Sequence, residues 1–281
     1  MKRLRIEHAT GFGYEGEVSA SYNEARMLPV TSAHQFLLNS ALEIEPSTSV
    51  NSYIDYFGTR VSSFDVLAPH RRLDITARSL VEVRARPAEH PETSWARLAA
   101  ATGRAVATAE QLTQTARTEP HPEVAELART IAARHRDPGR AAHEIAATIG
   151  DAVEYEVGAT QVHSTAGEAW HERKGVCQDI AHITIGALRA VGIPARYVSG
   201  YLHPVPDPEI GRPAVGESHA WVDWFTGDWQ GFDPTNGAAI GDRHVLVGRG
   251  RDYNDVPPLR GVYAGPADSV LHVQVTITRE A

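Results

Sequence analysis

The sequence contains very little sulfur, since Cys177 is its only cysteine and it has two methionines. A lone cysteine cannot form a disulfide within the chain, which excludes a disulfide-stabilised fold. A reduced thiol predicts a cytoplasmic protein. The fourteen histidines are scattered and form no HxH, HExxH or Cys/His cluster of the kind that binds zinc. We therefore expect no metal and no cofactor.

Long apolar runs and positive charge are also lacking. No stretch approaches the ~18 consecutive apolar residues of a membrane helix, and no apolar segment follows the basic residues at the start. We thus expect neither a membrane span nor a signal peptide. The net charge of −8 and the absence of a basic run argue against a nucleic-acid partner. What remains is the composition of a soluble globular protein with one large domain or two modest ones.

The first 86 residues alternate apolar and β-branched residues with polar ones. This pattern predicts strands around residues 4–14, 18–30, 36–44, 53–67 and 73–83. In the last of these, one face is formed by Leu73, Ile75, Ala77, Ser79, Val81 and Val83. Five strands so close in sequence favour a β-sandwich or a small barrel. The polar, proline-containing segment 87–93 predicts a boundary, so we expect domains at 1–88 and 89–281.

The second half changes to helical spacing and then back to strands. Helices are predicted to begin near Trp95, to span residues 122–136 and 142–149, and to begin again at the Thr165 capping box. Strands are predicted at 195–202, 219–225, 229–233 and 270–278. The four prolines within residues 203–218 predict a long irregular loop. The fold class is therefore α+β.

Cys177 opens the most distinctive of the predicted helices. Apolar residues recur with helical spacing from Ile180 to Val191, and Gly192 and Pro194 end the helix. A thiol in the first helical turn is favoured as thiolate by the unpaired N–H groups and the helix dipole. The alternative is a free cysteine that serves only as a small buried apolar residue.

Two further residues give the cysteine a chemical context. His219 begins one predicted strand and Asp233 ends the next, so a short turn can place the two side chains next to each other. The imidazole could then hold the carboxylate on one nitrogen and face the thiol with the other, as in a nucleophile, base and orienting acid. Taken singly, each has an ordinary interpretation: a strand-end histidine and an aspartate that starts a turn.

These segments resemble the core of the bacterial transglutaminase-like superfamily. The matching motifs are Gly175-Val-Cys177-Gln-Asp-Ile-Ala-His182, Gly192-Ile-Pro-Ala-Arg-Tyr-Val-Ser-Gly-Tyr201, Ser218-His219-Ala-Trp-Val222 and Gly231-Phe-Asp233-Pro-Thr-Asn-Gly237. Residues 55–58 and Pro69-His70 resemble the β-rich region often fused to that core, although Thr59 stands where asparagine is expected. The likeness covers most of the chain.

The resemblance implies a papain-like core, with a nucleophile helix packed on an antiparallel sheet and a triad of Cys177, His219 and Asp233. It implies acyl transfer from an amide through a thioester, with a peptide or protein amide as substrate and either water or an amine as acceptor. Hydrolysis is slightly preferred, because no acceptor-binding feature is visible in the sequence. The calcium dependence of the animal branch is not carried over, since no acidic loop supports it.

Some further residues receive lesser roles. The resemblance makes Tyr155 a candidate oxyanion donor. Gln178 is a candidate substrate contact. Trp221, next to His219, is a candidate for lining the acyl cleft or shielding the imidazole, with an ordinary core aromatic as the equal alternative. His182 and Asp179 are expected to be structural, the latter because an acid suits the first turn of a helix. Two alternatives remain open. One is a non-catalytic binding domain, and the other is a biosynthetic amide-forming enzyme whose substrate is selected by residues 203–218.

Overall fold

The computed structural model describes residues 1–85, 92–265 and 268–281, so most of the predicted boundary segment 87–93 lies outside the described residues. The architecture is mixed α and β and rich in sheet, with six helices in those ranges. The strands are β1 (Lys2–Val18), β2 (Ala20–Ala25), β3 (Gln35–Glu45), β4 (Val50–Ile54), β5 (Arg60–Val66), β6 (His70–Val83), β7 (Glu154–Tyr155), β8 (Lys174–Gly175), β9 (Ala195–Leu202), β10 (Pro213–Phe225), β11 (Trp229–Asp233), β12 (Ala238–Ala239), β13 (His244–Gly250), β14 (Leu259–Ala264) and β15 (Ser269–Arg279). The helices are α1 (Trp95–Thr102), α2 (Val106–Ala109), α3 (Pro122–Arg134), α4 (Pro138–Ala152), α5 (Ala166–Glu172) and α6 (Cys177–Ala190).

The N-terminal strands form two sheets that face each other. One contains β3, β6, β1 and β15, and the other has the order β14-β2-β5-β4. Apolar residues of both sheets join in one buried cluster, as in a sandwich. The apolar face predicted for β6 is confirmed, because all six of its residues are buried. The β-sandwich prediction follows this alternation and is confirmed with it.

Two strands were predicted too long. The strand expected over residues 53–67 is a hairpin of β4 and β5, and it turns at Gly58, whose φ is +82°. The strand expected over 18–30 ends at residue 25. Both errors have the same cause: apolar residues on the connecting segments continue the strand-like pattern. Met27 and Leu28, for example, fill the sandwich core from outside any strand.

The last strands of the chain return to the first ones. β14 pairs with β2, and β15 pairs with β1 along its whole length. The alternating C-terminal segment predicted β15 as a strand, but β14 was not predicted. The domain boundary at residue 88 stays a prediction, although these strands of the second expected domain lie on the sheets of the first.

The C-terminal half packs helices on an antiparallel sheet. This sheet contains β13, β9, β10, β11 and β12, and α6 lies against β9 and β10 with α3, α4 and α5 around it. Every residue of α6 from 178 to 189 is buried, so the helix is covered on all sides. This is the nucleophile helix on a sheet that was expected. No helix in the described ranges is long and apolar enough to cross a membrane.

β10 joins the two halves of the fold. Its residues 213–216 pair with β15, residues 217–224 pair with β9, and residues 222–225 also pair with β11. The prediction of an irregular loop over residues 203–218 is therefore wrong for its last six residues. Local sequence gave no sign of this first part of β10, because residues 213–216 pair with a segment near the far end of the chain.

Candidate active site

Cys177 is the first residue of α6 and is partly buried. The helix start is fixed by Asp179, whose Oδ2 accepts the Val176 N–H at 2.8 Å and the Thr160 hydroxyl at 2.6 Å. Gly175 permits this close approach, because a Cβ there would lie 2.8 Å from the Asp179 Cβ. Asp179 thus has the structural position expected of it. The first N–H groups of an α-helix have no acceptor within the helix, and in α6 these belong to Cys177 and the residue after it.

The hairpin of β10 and β11 brings His219 and Asp233 together. The His219 Nε2 lies 2.7 Å from the Asp233 Oδ2. The Cys177 side chain lies close enough to the His219 ring to raise its pKa, and both residues line one cleft. Each nitrogen of an imidazole can make one hydrogen bond in the plane of the ring. Since Nε2 is hydrogen bonded to the carboxylate, Nδ1 is the nitrogen left to face the thiol. The three residues named from the sequence therefore meet in one place.

The Asp233 carboxylate is fully buried and accepts several hydrogen bonds. Oδ1 accepts the backbone N–H groups of Thr235 and Asn236 at 3.1 and 3.2 Å. Oδ2 also accepts the Asn236 side-chain amide at 2.8 Å. Burial by itself would raise the pKa of Asp233, but the hydrogen bonds from His219, His244 and Asn236 hold that pKa below its ordinary value. The Asp233 side chain is therefore ionised at neutral pH.

The pKa of His219 moves in the other direction. Burial alone would lower it, but the hydrogen bonds and charges of Asp233 and Cys177 raise it from 6.5 to about 10. The protonated ring is consequently favoured at neutral pH. An imidazolium between a carboxylate and a thiol is the arrangement in which a thiolate is stabilised.

His244 was not anticipated from the sequence, and its tautomer is fixed by its neighbours. Its Nδ1 accepts the Gly241 N–H at 3.2 Å, so the ring proton is on Nε2, which faces Asp233 Oδ2 at 3.3 Å. Burial lowers the pKa of His244 and keeps the ring neutral. The Asp233 carboxylate thus lies between two imidazoles, of which only His219 reaches the thiol.

These same groups have the composition of a metal site. In the described part of the chain, His219, Asp233 and His244 offer ligand atoms within 4.8 Å of one another. In this conformation each atom already takes part in a hydrogen bond around one carboxylate oxygen. The expectation of no metal stays a prediction.

Cys177 and His219 open into a cleft of about 530 Å³. One wall is formed by β10 and another by residues 273–275 of β15. A second cavity of about 460 Å³ adjoins it and reaches His219, Asn236 and Arg243 but not Cys177. The imidazole is therefore accessible from two sides and the thiol from one.

Tyr155 and Glu217 lie at the boundary between the two cavities and line both. The Glu217 carboxylate lies close enough to the phenol to act on its pKa. Burial, followed by the charges of Cys177 and Glu217, raises the pKa of Tyr155 to about 12. The hydroxyl is thus a firm proton donor near the thiol. Its role as an oxyanion donor stays a prediction, since in this conformation it faces Glu217.

The other two predicted contacts occupy different positions. Gln178 lines the cleft, and its Nε2 donates to the Val162 carbonyl at 3.0 Å. Trp221 is fully buried and packs edge-on against His244, with 5.4 Å between ring centroids. It lies behind the imidazoles and is absent from the walls of both cavities. His182 is buried, and its Nε2 accepts the Tyr253 N–H, in keeping with the packing role expected of it.

Comparison with known proteins matches both halves of the chain to one family. The Transglutaminase-like superfamily matches residues 125–234, and the bacterial transglutaminase-like N-terminal region matches residues 4–82. A protein of Mycobacterium leprae (strain TN) is 42% identical over 100% of both chains. The chain belongs to the transglutaminase-like superfamily. A second superfamily relative, from Mycobacterium tuberculosis (strain H37Rv), is 34% identical and covers 98% of this chain and 92% of its own length.

A solved structure shows the same fold. The crystal structure of a candidate cysteine protease from Cytophaga hutchinsonii superposes with a TM-score of 0.77 at 19% identity, covering 99% of this chain and 97% of that one. At this identity the likeness concerns the fold, and it covers the sandwich as well as the transglutaminase-like core. The resemblance inferred from the motifs and the predicted α+β fold are confirmed.

Three residues of the site were not predicted from the sequence. Asn236 follows Asp233 in the Asp-Pro-Thr-Asn-Gly turn and could have been included from that proximity. Glu217 lay in the segment interpreted as a loop. His244 reaches Asp233 only because β13 pairs with β9. Contacts of that kind depend on strand order, which periodicity does not give.

Proposed function

We propose that this protein is a cysteine-dependent acyl-transfer enzyme that acts on an amide, either a glutamine side chain or a peptide bond. The observation that carries the proposal is the His219–Asp233 hydrogen bond in the cleft that His219 shares with Cys177, the first residue of a buried helix. Membership in the transglutaminase-like superfamily and the fold of a candidate cysteine protease support it.

In the proposed reaction, His219 Nδ1 takes the proton of the Cys177 thiol, and the thiolate attacks the amide carbon. The N–H groups of the first turn of α6 stabilise the oxyanion. The imidazolium then protonates the leaving nitrogen as the C–N bond breaks, which leaves a thioester and free amine or ammonia. His219 next takes a proton from the acceptor, which attacks the thioester and restores the thiol.

Water is the preferred acceptor in this proposal, so the enzyme is a peptidase or amidase. The second cavity reaches His219 without passing Cys177, and it supplies a path for an acceptor while the acyl group occupies the first. Transfer to an amine is the second candidate, and Glu217 favours it. Its carboxylate lines both cavities and would attract an ammonium group toward His219.

A chemical test separates these functions from a binding domain. Chloroacetamide should alkylate Cys177 rapidly at neutral pH, with intact mass as the measurement. His219→Ala should lose this fast reaction. Cys177→Ala should incorporate no label and keep its circular dichroism spectrum. A thiol that stays inert until denaturant is added would overturn the enzyme proposal and favour a non-catalytic binding domain.

Glutamine peptides, with and without a primary amine, then distinguish the acceptors. Ammonia release without amine incorporation indicates hydrolysis, and incorporation of the amine indicates transfer. The same assay with small peptides as both donor and amine tests the biosynthetic alternative. Because the mechanism needs a reduced thiol, we place the protein in a reducing compartment such as the cytoplasm.

A further inference from the structure

The strand edge beside the cleft is only partly used by the fold. β15 pairs with β1 along its whole length, but its second edge pairs with β10 only at residues 275–278. Among the described residues, no strand pairs with the second edge of residues 269–274. These residues therefore present backbone N–H and C=O groups without a strand partner, which is the usual template for an added strand.

The open edge begins where β10 separates from β15. β10 pairs with β15 as far as Gly216, opposite Val275, and then pairs with β9 from Glu217 onward. Beyond this fork, Val273 and Gln274 line one side of the cleft, and Glu217 and His219 line the other. The unpaired edge of β15 consequently leads from the surface directly to the thiol and the imidazole.

The side chains along this edge are apolar and exposed. Leu271 and Val273 are each 54% exposed and share a face with the buried Val275, because side chains alternate along a strand. This face runs from the surface into the wall of the cleft. Natural edge strands usually carry charges that prevent pairing, and this segment carries none of the Lys, Arg, Asp or Glu residues that would do so.

We propose that residues 269–274 of β15 bind the acyl-donor polypeptide as an added β-strand, with apolar substrate side chains on Leu271 and Val273. The proposal rests on the proposed function and names its substrate class, an extended segment of polypeptide instead of a small amide. The continuity of the edge with the cleft selects this occupant over a second copy of the chain. The substrate strand takes the place beside β15 that β10 leaves after Gly216.

The test uses Cys177 as a reporter. The probe is a short peptide of alternating valine and threonine with a chloroacetyl group on a central side chain, and chloroacetamide is the reference reagent. The peptide should alkylate Cys177 about tenfold faster or more, as expected from a few net hydrogen bonds. Leu271→Lys should remove this advantage and leave the chloroacetamide rate unchanged, because Leu271 lies outside the cleft.

A matched control is available on the same strand. Val270 is 56% exposed but points to the opposite face, so Val270→Lys should keep the peptide advantage. Two peptides that are N-methylated at alternate residues, in the two possible phases, test the pairing itself. One of these peptides should lose its faster reaction with Cys177 and the other should keep it. The reason is that the N–H groups of a strand alternate between its two edges, and only one edge of the peptide faces β15.

The outcomes separate the two proposals. Strand addition is overturned if the peptide reacts no faster than chloroacetamide, or if the two N-methylated peptides react at equal rates. Either result leaves the proposed reactive thiol unaffected. Inertness toward both reagents overturns the proposed function. Fluorescence anisotropy of the same peptide without its reactive group, on Cys177→Ser, then still measures binding to the edge. A wild-type dimer that Leu271→Lys converts to monomer would assign the edge to a second copy and overturn the proposal.

Discussion

Asp233 is the residue around which the side chains of the site are arranged. Its fully buried carboxylate receives hydrogen bonds from two imidazoles, a side-chain amide and two backbone N–H groups. A buried carboxylate in such a network remains ionised, and its charge stabilises the imidazolium of His219. In the proposed mechanism, the reactivity of Cys177 therefore depends on a carboxylate that does not touch it.

Asp233→Asn should slow the alkylation of Cys177 by about tenfold or more at neutral pH. The reason is that a neighbouring opposite charge, here the carboxylate beside His219, changes the pKa of an ionisable group by about 1–3. The amide leaves His219 without the charge that favours its protonated form. Alkylation kinetics by intact mass measure the effect. Asp228→Asn, in the exposed turn between β10 and β11, is the control and should react like the wild type. Equal rates for both variants would contradict the role of Asp233.

The raised pKa of His219 also makes stability depend on pH. A group whose pKa is higher in the folded state contributes fully below its ordinary value of 6.5, and loses that contribution as the pH rises through about 10. The difference in free energy of unfolding between wild type and His219→Gln should therefore shrink between neutral and alkaline pH. Urea unfolding across this range tests the sign, and a constant or growing difference would contradict it.

At the scale of elements, the end of α6 opposite to Cys177 is held by a buried guanidinium. Arg189 donates to the carbonyls of Gln111 and Thr113 at 2.9 Å and to those of Ala195 and Arg251 at 2.8 Å. Burial lowers the pKa of Arg189 to about 10. The surrounding carbonyls accept the N–H groups of the planar guanidinium, which donates in several fixed directions. This contact fixes the helix against two loops and β9.

Arg189→Lys should lower the free energy of unfolding by about 2–4 kcal/mol, because one ammonium cannot reach all of these carbonyls and leaves some unsatisfied. Urea or thermal unfolding measures the loss. Arg129→Lys, on the exposed side of α3, serves as the matched control and should change stability little. If the two variants were equally stable, the hydrogen bonds of Arg189 would not fix α6.

The elements that could be predicted are those whose pattern is local. Helical spacing identified α3, α4 and α6, a capping box identified α5, and alternation identified β6 and β15. The turn at residues 226–228 placed His219 beside Asp233. The start of β10, the strand β14 and the approach of His244 could not be predicted, because each depends on a partner that is distant in sequence. Those contacts depend on the order of the strands in the sheets, which the hydrophobic periodicity of a single sequence does not reveal.

At the scale of the molecule, strands from both sides of the expected boundary at residue 88 pair in the same sheets. Strands β1 and β15 come from opposite ends of the chain, and β10 links their sheet to the one that carries His219. The core cluster formed by β1, β6, β9, β13 and β15 lies between the two halves. The halves consequently bury apolar surface against each other.

A fragment of residues 92–281 should therefore fail to fold into a reactive enzyme, since it leaves β15 without its neighbour β1 and exposes this cluster. We expect the full chain to unfold in one cooperative transition and the fragment to show none. Circular dichroism during heating, with chloroacetamide labelling of Cys177, gives both results. A fragment that folds and reacts normally would support two independent domains divided near residue 88.

The lone cysteine has a consequence for oxidation. Peroxide converts a reactive thiolate to a sulfenic acid, which many proteins recover by forming a disulfide with a neighbouring cysteine. Cys177 has no such partner in its own chain. Its recovery must come from an external thiol that enters the same cleft as the substrate, and without one the oxidation proceeds to the irreversible sulfinic and sulfonic acids.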